Sequence, residues 1–176
     1  METQSIEKVL ISLVKMYDDE SEQISNVLLC KMAALELCGW LEETHDNLIF
    51  SSLNLMHPLN QGSTEEKFSK FKKRVEEKIS NTHGLGYSKH LRNLLEALLG
   101  PFLVLKLEHD IIEIDNLRSQ LDTLNNYRNQ LAHTSLCGIE QQQTLDAPNV
   151  ILNKFRIIYS VLIQVEDYLL NGTILK

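Results

Sequence analysis

The sequence predicts an all-α protein on three observations. Apolar residues recur at helical spacing in every long segment, no run alternates with period two, and 176 residues include only three prolines and seven glycines. A chain of this length suits one well-buried domain rather than two, so residues 1–176 are read as a single bundle of about five to seven helices.

The first helix is expected over 5–18, where Ile6, Val9, Leu10, Leu13 and Val14 keep a helical period. "DDESE" then gives an acidic cap and first turn to a second helix over 21–55, with Val27, Ala34, Cys38, Leu41 and Leu48 on one stripe. "HPLNQG" is a turn cluster. Ser63 and Glu66 have capping-box spacing, and Phe68, Phe71, Val75 and Ile79 form the apolar face of a third helix. Two glycines in "NTHGLGY" break the chain, "SKHLRNLLEALL" restarts it, and "GP" at 100–101 kinks or divides the next helix. A continuous helix is expected over 108–133, a polar connection through "CGIEQQQTLDAP", and a last helix over "NVILNKFRIIYSVLIQVEDYLL", too long for a strand.

Charge and cysteines narrow the function classes. A net charge of −7 means that any nucleic acid must be gripped by a local basic patch against an unfavourable overall field. Cys30, Cys38 and Cys137 are odd in number and form no C-x-x-C pair, which argues against a disulfide framework or zinc site and for a reducing compartment. "METQSIEKVL" has no basic n-region or apolar run, and charges interrupt the apolar stretches, so a cytoplasmic protein without a membrane span is expected. No cofactor and no metal are called for.

One position breaks the pattern. Leu117, Leu121, Leu124 and Leu131 form an apolar stripe, and Arg128 occupies the place that completes it. An arginine there must snorkel, pair with an acid, or bind an anion at a seam. His133, five residues on, is about 500° further round an ideal helix, whereas Asn129 and His133 at i and i+4 share a face. Together the three suit a phosphate diester. The Arg128 fork can clamp two non-bridging oxygens, His133 can move a proton to or from a ribose hydroxyl or leaving oxygen, and Asn129 can orient the imidazole. The alternative is an Arg–acid pair beside an ordinary polar helix end.

"YRNQLAH" resembles the R-x(4–6)-H signature of the HEPN superfamily (higher eukaryotes and prokaryotes nucleotide-binding domain). Arg128, Asn129, the small Ala132 and His133 each match, and the motif comes after several helices and before one more. The resemblance implies a four-helix up-and-down core with additional helices. It also implies a homodimer that joins two Arg–His pairs in one cleft, and metal-independent RNA cleavage leaving a 2′,3′-cyclic phosphate and a 5′-hydroxyl. Relatives include toxins and antiviral-defence effectors, so an antitoxin or other regulatory protein is an expected partner beside RNA. Others only bind, and a non-catalytic module for RNA, a nucleotide or a protein is the alternative. One branch has Tyr two residues after the His; Ser135 stands there in this chain.

Further residues are candidates for RNA contact. Lys72 and Lys73 lie off the Phe68/Phe71/Val75 face, either as a phosphate-contacting run or as a solvated face tied to Glu76 and Glu77. "HGLGYSKH" offers Tyr87 for base stacking and Lys89 and His90 for phosphate, against a simple helix C-cap at Gly84. His45 reads as a satisfied core or seam histidine and Trp40 as a core or interface anchor. His109–Asp110 is the dipeptide of all-α metal phosphohydrolases, which would have to conscript His90 and Asp115 or Asp122.

Overall fold

The structure, a computed structural model, describes residues 4–56, 65–133 and 145–171, and the side chains of 5–55, 65–131 and 145–170. Among the described residues the protein is all-α, with no strand. The helices are α1 (Gln4–Asp19), α2 (Gln23–Met56), α3 (Glu65–Asn81), α4 (Arg92–Leu99), α5 (Pro101–Asp110), α6 (Ile114–His133) and α7 (Pro148–Asn171), with a π-helical turn at Tyr87–Leu91.

The long helices build the core. α1 packs on α2 and α7, and α6 closes the other side against the same two. The three-residue connection between α1 and α2 makes them an antiparallel hairpin. α7 feeds the centre with Ile151, Phe155, Ile158, Leu162, Val165 and Leu169, all buried at alternating three- and four-residue steps. On α6, Leu117, Leu121, Leu124 and Leu131 are no more than 1% exposed, so each adds roughly 1.5–3 kcal/mol of apolar burial. Trp40 sits edge-on to Phe155 with ring centroids 5.3 Å apart, and Phe155 stacks on Tyr159.

α3, α4, α5 and the π turn flank this core. α3 packs on α2 and α4, and the π turn joins α4 to α6. Gly100 divides α4 from α5 at φ +82°, a region open to glycine, and Pro101 begins α5 with its ring already at helical φ.

The structure departs from the sequence reading in four places. The expected 108–133 helix is two helices: Ile111 turns extended at φ −93°, ψ 104°, and this lets Ile111 and Ile114 both enter the core. Val9 faces outward at 39% exposure while Ile6, Leu10 and Leu13 carry the buried stripe of α1. The π turn is not anticipated by any sequence pattern; its register comes from Leu91 N–H donating to Gly86 O at 3.3 Å. Finally, only Lys31 and Glu36 interrupt residues 24–41, so α2 is long and apolar enough to cross a membrane by length and composition. Within it Ala33, Ala34, Leu37, Cys38 and Leu41 are buried in the bundle, while Ile24, Leu28 and Met32 are exposed. Ser63 of the expected capping box, and most of the 137–148 connection, lie outside the described residues.

Candidate functional site

The seam between α2 and α6 holds Arg128 and Asn129 and leaves most of the other singled-out residues elsewhere. The Leu117–Leu121–Leu124–Leu131 stripe turns α6 toward α2, which brings Arg128 against the Cys38–Glu42–His45 face of that helix. Arg128 Nη2 lies 3.5 Å from Glu42 Oε1, and the two side chains are 40% and 33% exposed. Arg128 Nη1 donates to Asn129 Oδ1 at 3.3 Å. The guanidinium therefore snorkels to the seam's edge rather than entering the core. A single half-exposed contact of this kind is worth about 0–1 kcal/mol, so Glu42 steers Arg128 without locking it.

Asn129, which the sequence places one turn before His133, accepts from Arg128. His133 is the last residue of α6, and its side chain lies outside the described residues. Below the ion pair, burial and then Glu42 push the Cys38 thiol up to about 12, with Arg128 pulling the other way, so Cys38 stays protonated and inert. Burial, then Glu42, also raises Asp46, while His83 opposes the rise.

His45 lies behind this pair at 1% exposure. Neither of its ring nitrogens meets a hydrogen-bond partner among the described residues, so the expectation of a satisfied histidine is corrected. Burial first, and then His90, lower its pKa to about 3, so it is neutral at ordinary pH. His90 comes from the π turn, and its buried Nδ1 also has no hydrogen-bond partner among the described residues. Its ring lies against Gly84, where an added Cβ would meet Nε2 at 2.6 Å.

α6 holds the glycine loop in place. Asp122 accepts from Ser88 Oγ at 3.0 Å, and Asn125 Oδ1 accepts from Leu85 N–H at 3.4 Å. Asp122, Asn125 and Arg128 thus recur at three-residue steps along one side of α6, two stapling the loop and the third at the seam. Glu42 and Asn125 escaped the sequence reading, and Asp122 entered it only as a metal ligand to be conscripted beside His109–Asp110. The three-residue spacing back from Arg128 was the available signal for the α6 pair, and the Cys38-to-His45 stripe for Glu42.

The other expected contacts divide. Lys89 is exposed beside the loop. Lys72 and Lys73 lie on α3, 3.8 Å from Glu76 and 3.9 Å from Glu77, as the solvated-face reading has it. Tyr87 is fully buried and donates its hydroxyl to Glu108 at 2.9 Å, so it presents no ring to a base. The same carboxylate receives Arg92 at 3.0 Å and Arg118 at 3.3 Å, which accounts for Tyr87 as a structural anchor. His109 is 89% exposed and lies 3.2 Å from its neighbour Asp110. No group of three potential metal ligands occurs among the described residues, so the phosphohydrolase reading gains no support.

Fold and site together define an all-α protein with a half-exposed arginine near the end of a core helix. No family model, no curated protein and no solved structure matches the chain.

Proposed function

We propose that the protein is a metal-independent endoribonuclease that acts as a homodimer. The observation that carries the reading is the Arg128 guanidinium at the α2–α6 seam, held loosely by Glu42 and Asn129 five residues before His133. A phosphate diester offers the fork two oxygens, and charged hydrogen bonds worth about 1.5–3 kcal/mol outweigh the single exposed contact to Glu42. In the reaction the ribose 2′-oxygen attacks phosphorus as its proton leaves, the bond to the 5′-oxygen breaks, and that oxygen takes up a proton. The products are a 2′,3′-cyclic phosphate and a 5′-hydroxyl. His133 carries the proton at one of these oxygens, and the partner subunit's copy serves the other. Arg128 stabilises the charge that builds on phosphorus.

The exposed face of α6, where Asn116, Ser119, Thr123 and Asn126 are uncharged and Asp115 is paired with Arg118, supports a mostly polar seam between copies. A second reading, a module that binds RNA without cutting it, is favoured by the acid already paired with Arg128. The test is incubation of end-labelled single-stranded RNA with excess EDTA and analysis of the new ends. Fragments bearing cyclic phosphate and 5′-hydroxyl are expected at the same rate with and without chelator. Binding without cleavage, in EDTA or in added divalent metal, selects the binding module.

A further inference from the structure

We propose that the outer face of the α1–α2 hairpin docks a cationic amphipathic helix from a partner protein. Ile24, Leu28 and Met32 recur every fourth residue on α2 and are 52%, 44% and 46% exposed. Val9 and Met16, one heptad apart on α1, are 39% and 56% exposed. None of these five is required by the core beneath. Where α1 begins, a groove of about 420 Å³ opens between the helices, with Ile6, Val9, Leu35 and Trp40 as its floor and Glu36 and Glu43 on its rim. Trp40 is fixed from below by Phe155 and Tyr159. A Cβ added at Gly39 in the groove would meet nothing within 4 Å, so the helix surface is notched there.

Charge selects the occupant. Leaving out Glu42, which faces Arg128, residues 4–43 carry seven carboxylates against three lysines, a net charge of −4, and of the seven Glu7 is paired with Arg156. The hairpin tip, between Met16 and Ile24, holds Asp18, Asp19, Glu20 and Glu22, of which Glu20 accepts from the Ser21 and Glu22 backbone N–H groups. Acids therefore bracket the apolar stripe, at the tip and at the groove. A second copy docked through this face would oppose like charges, and nucleic acid or anionic lipid would be repelled. A helix with Leu-like residues along one side and Lys or Arg on its flanks satisfies both features. From Ile24 to Gly39 is fifteen residues, or about 22 Å, so the partner segment needs some four turns. This surface lies apart from Arg128 and does not depend on the nuclease reading.

The test titrates the full-length protein into a fluorescein-labelled eighteen-residue helix of Leu and Lys patterned on one face, and into its Leu/Glu counterpart. Wild type is expected to bind the Lys peptide and not the Glu peptide. Gly39→Leu, whose Cβ meets nothing within 4 Å and which changes no charge, should fill the notch and weaken binding at least tenfold. Glu36→Lys with Glu43→Lys should do the same. Equal binding by wild type and Gly39→Leu overturns the proposal, since charge alone would then explain the attraction. So does binding of both peptides alike. Co-sedimentation of wild type with phosphatidylcholine/phosphatidylserine vesicles, abolished by Gly39→Leu, would overturn it by assigning the face to a membrane. Self-association abolished by the same substitution would overturn it by assigning the face to a second copy.

Discussion

Replacing His45 with Met should change how stability depends on pH, by an amount the seam geometry sets. In the folded protein His45 stays neutral down to about pH 3, whereas its ordinary pKa is 6.5. Between these values the unfolded chain binds a proton that the folded chain refuses, so unfolding is favoured by about 1.4 kcal/mol for each pH unit lost. The penalty is absent above 6.5, reaches about 2 kcal/mol at pH 5, and levels off near pH 3. Met has no titrating group, fills irregular space and removes two buried ring nitrogens that lack hydrogen bonds. His90 from the π turn, Asp122 and Arg128 from α6, and Glu42 and Asp46 from α2 remain in the variant, so the difference between the proteins isolates His45. Urea unfolding at pH 7, 6 and 5 measures it. Wild type should lose about 2 kcal/mol more than His45→Met between pH 7 and pH 5, with the variant at least as stable at pH 7. Parallel pH profiles would show that the imidazole is hydrated or partnered in solution, and the buried-imidazole argument would fail.

The loop and the ion pair each give a further outcome. Gly84→Ala combines a left-handed backbone at φ +113° with a Cβ 2.6 Å from His90 Nε2, so it should cost upwards of about 2 kcal/mol in urea unfolding. Adding His90→Ala should recover only the part due to the ring. Glu42→Gln should leave stability nearly unchanged and tighten RNA binding up to about fivefold at fixed salt, because it frees a guanidinium from a pair worth at most about 1 kcal/mol. Weaker binding by this variant would mean that Glu42 orients Arg128 for RNA rather than competing with it.

The helices were legible because burial imposes a period on each of them. The last helix reads directly as Ile151–Phe155–Ile158–Leu162–Val165–Leu169, and the misfit of Arg128 on the α6 stripe pointed to the seam. Local pattern could not give the break at Ile111, where the chain turns extended so that Ile111 and Ile114 are both buried in the core. The π turn was hidden too, being fixed by Asp122 and Asn125 from thirty-four and forty residues away. Tyr87 shows the converse: a polar aromatic in a glycine-broken loop suggested an open stacking platform, but the Glu108 carboxylate draws its hydroxyl inward. The electrostatic influence of His90 on His45 links two helical segments that no spacing rule connects.

The central claim is that His133 moves the proton and Arg128 holds the phosphate, and single-turnover cleavage of a labelled RNA by His133→Ala tests it most directly. Proton transfer by a positioned side chain is worth about 10²–10⁴ in rate, or roughly 3–5 kcal/mol of barrier. The account predicts a loss of that size with RNA affinity and folding unchanged, and Arg128→Ala, measured alongside, should lower rate and affinity together. Cleavage by His133→Ala at the wild-type rate, or RNA bound equally by both proteins and cut by neither, would contradict it.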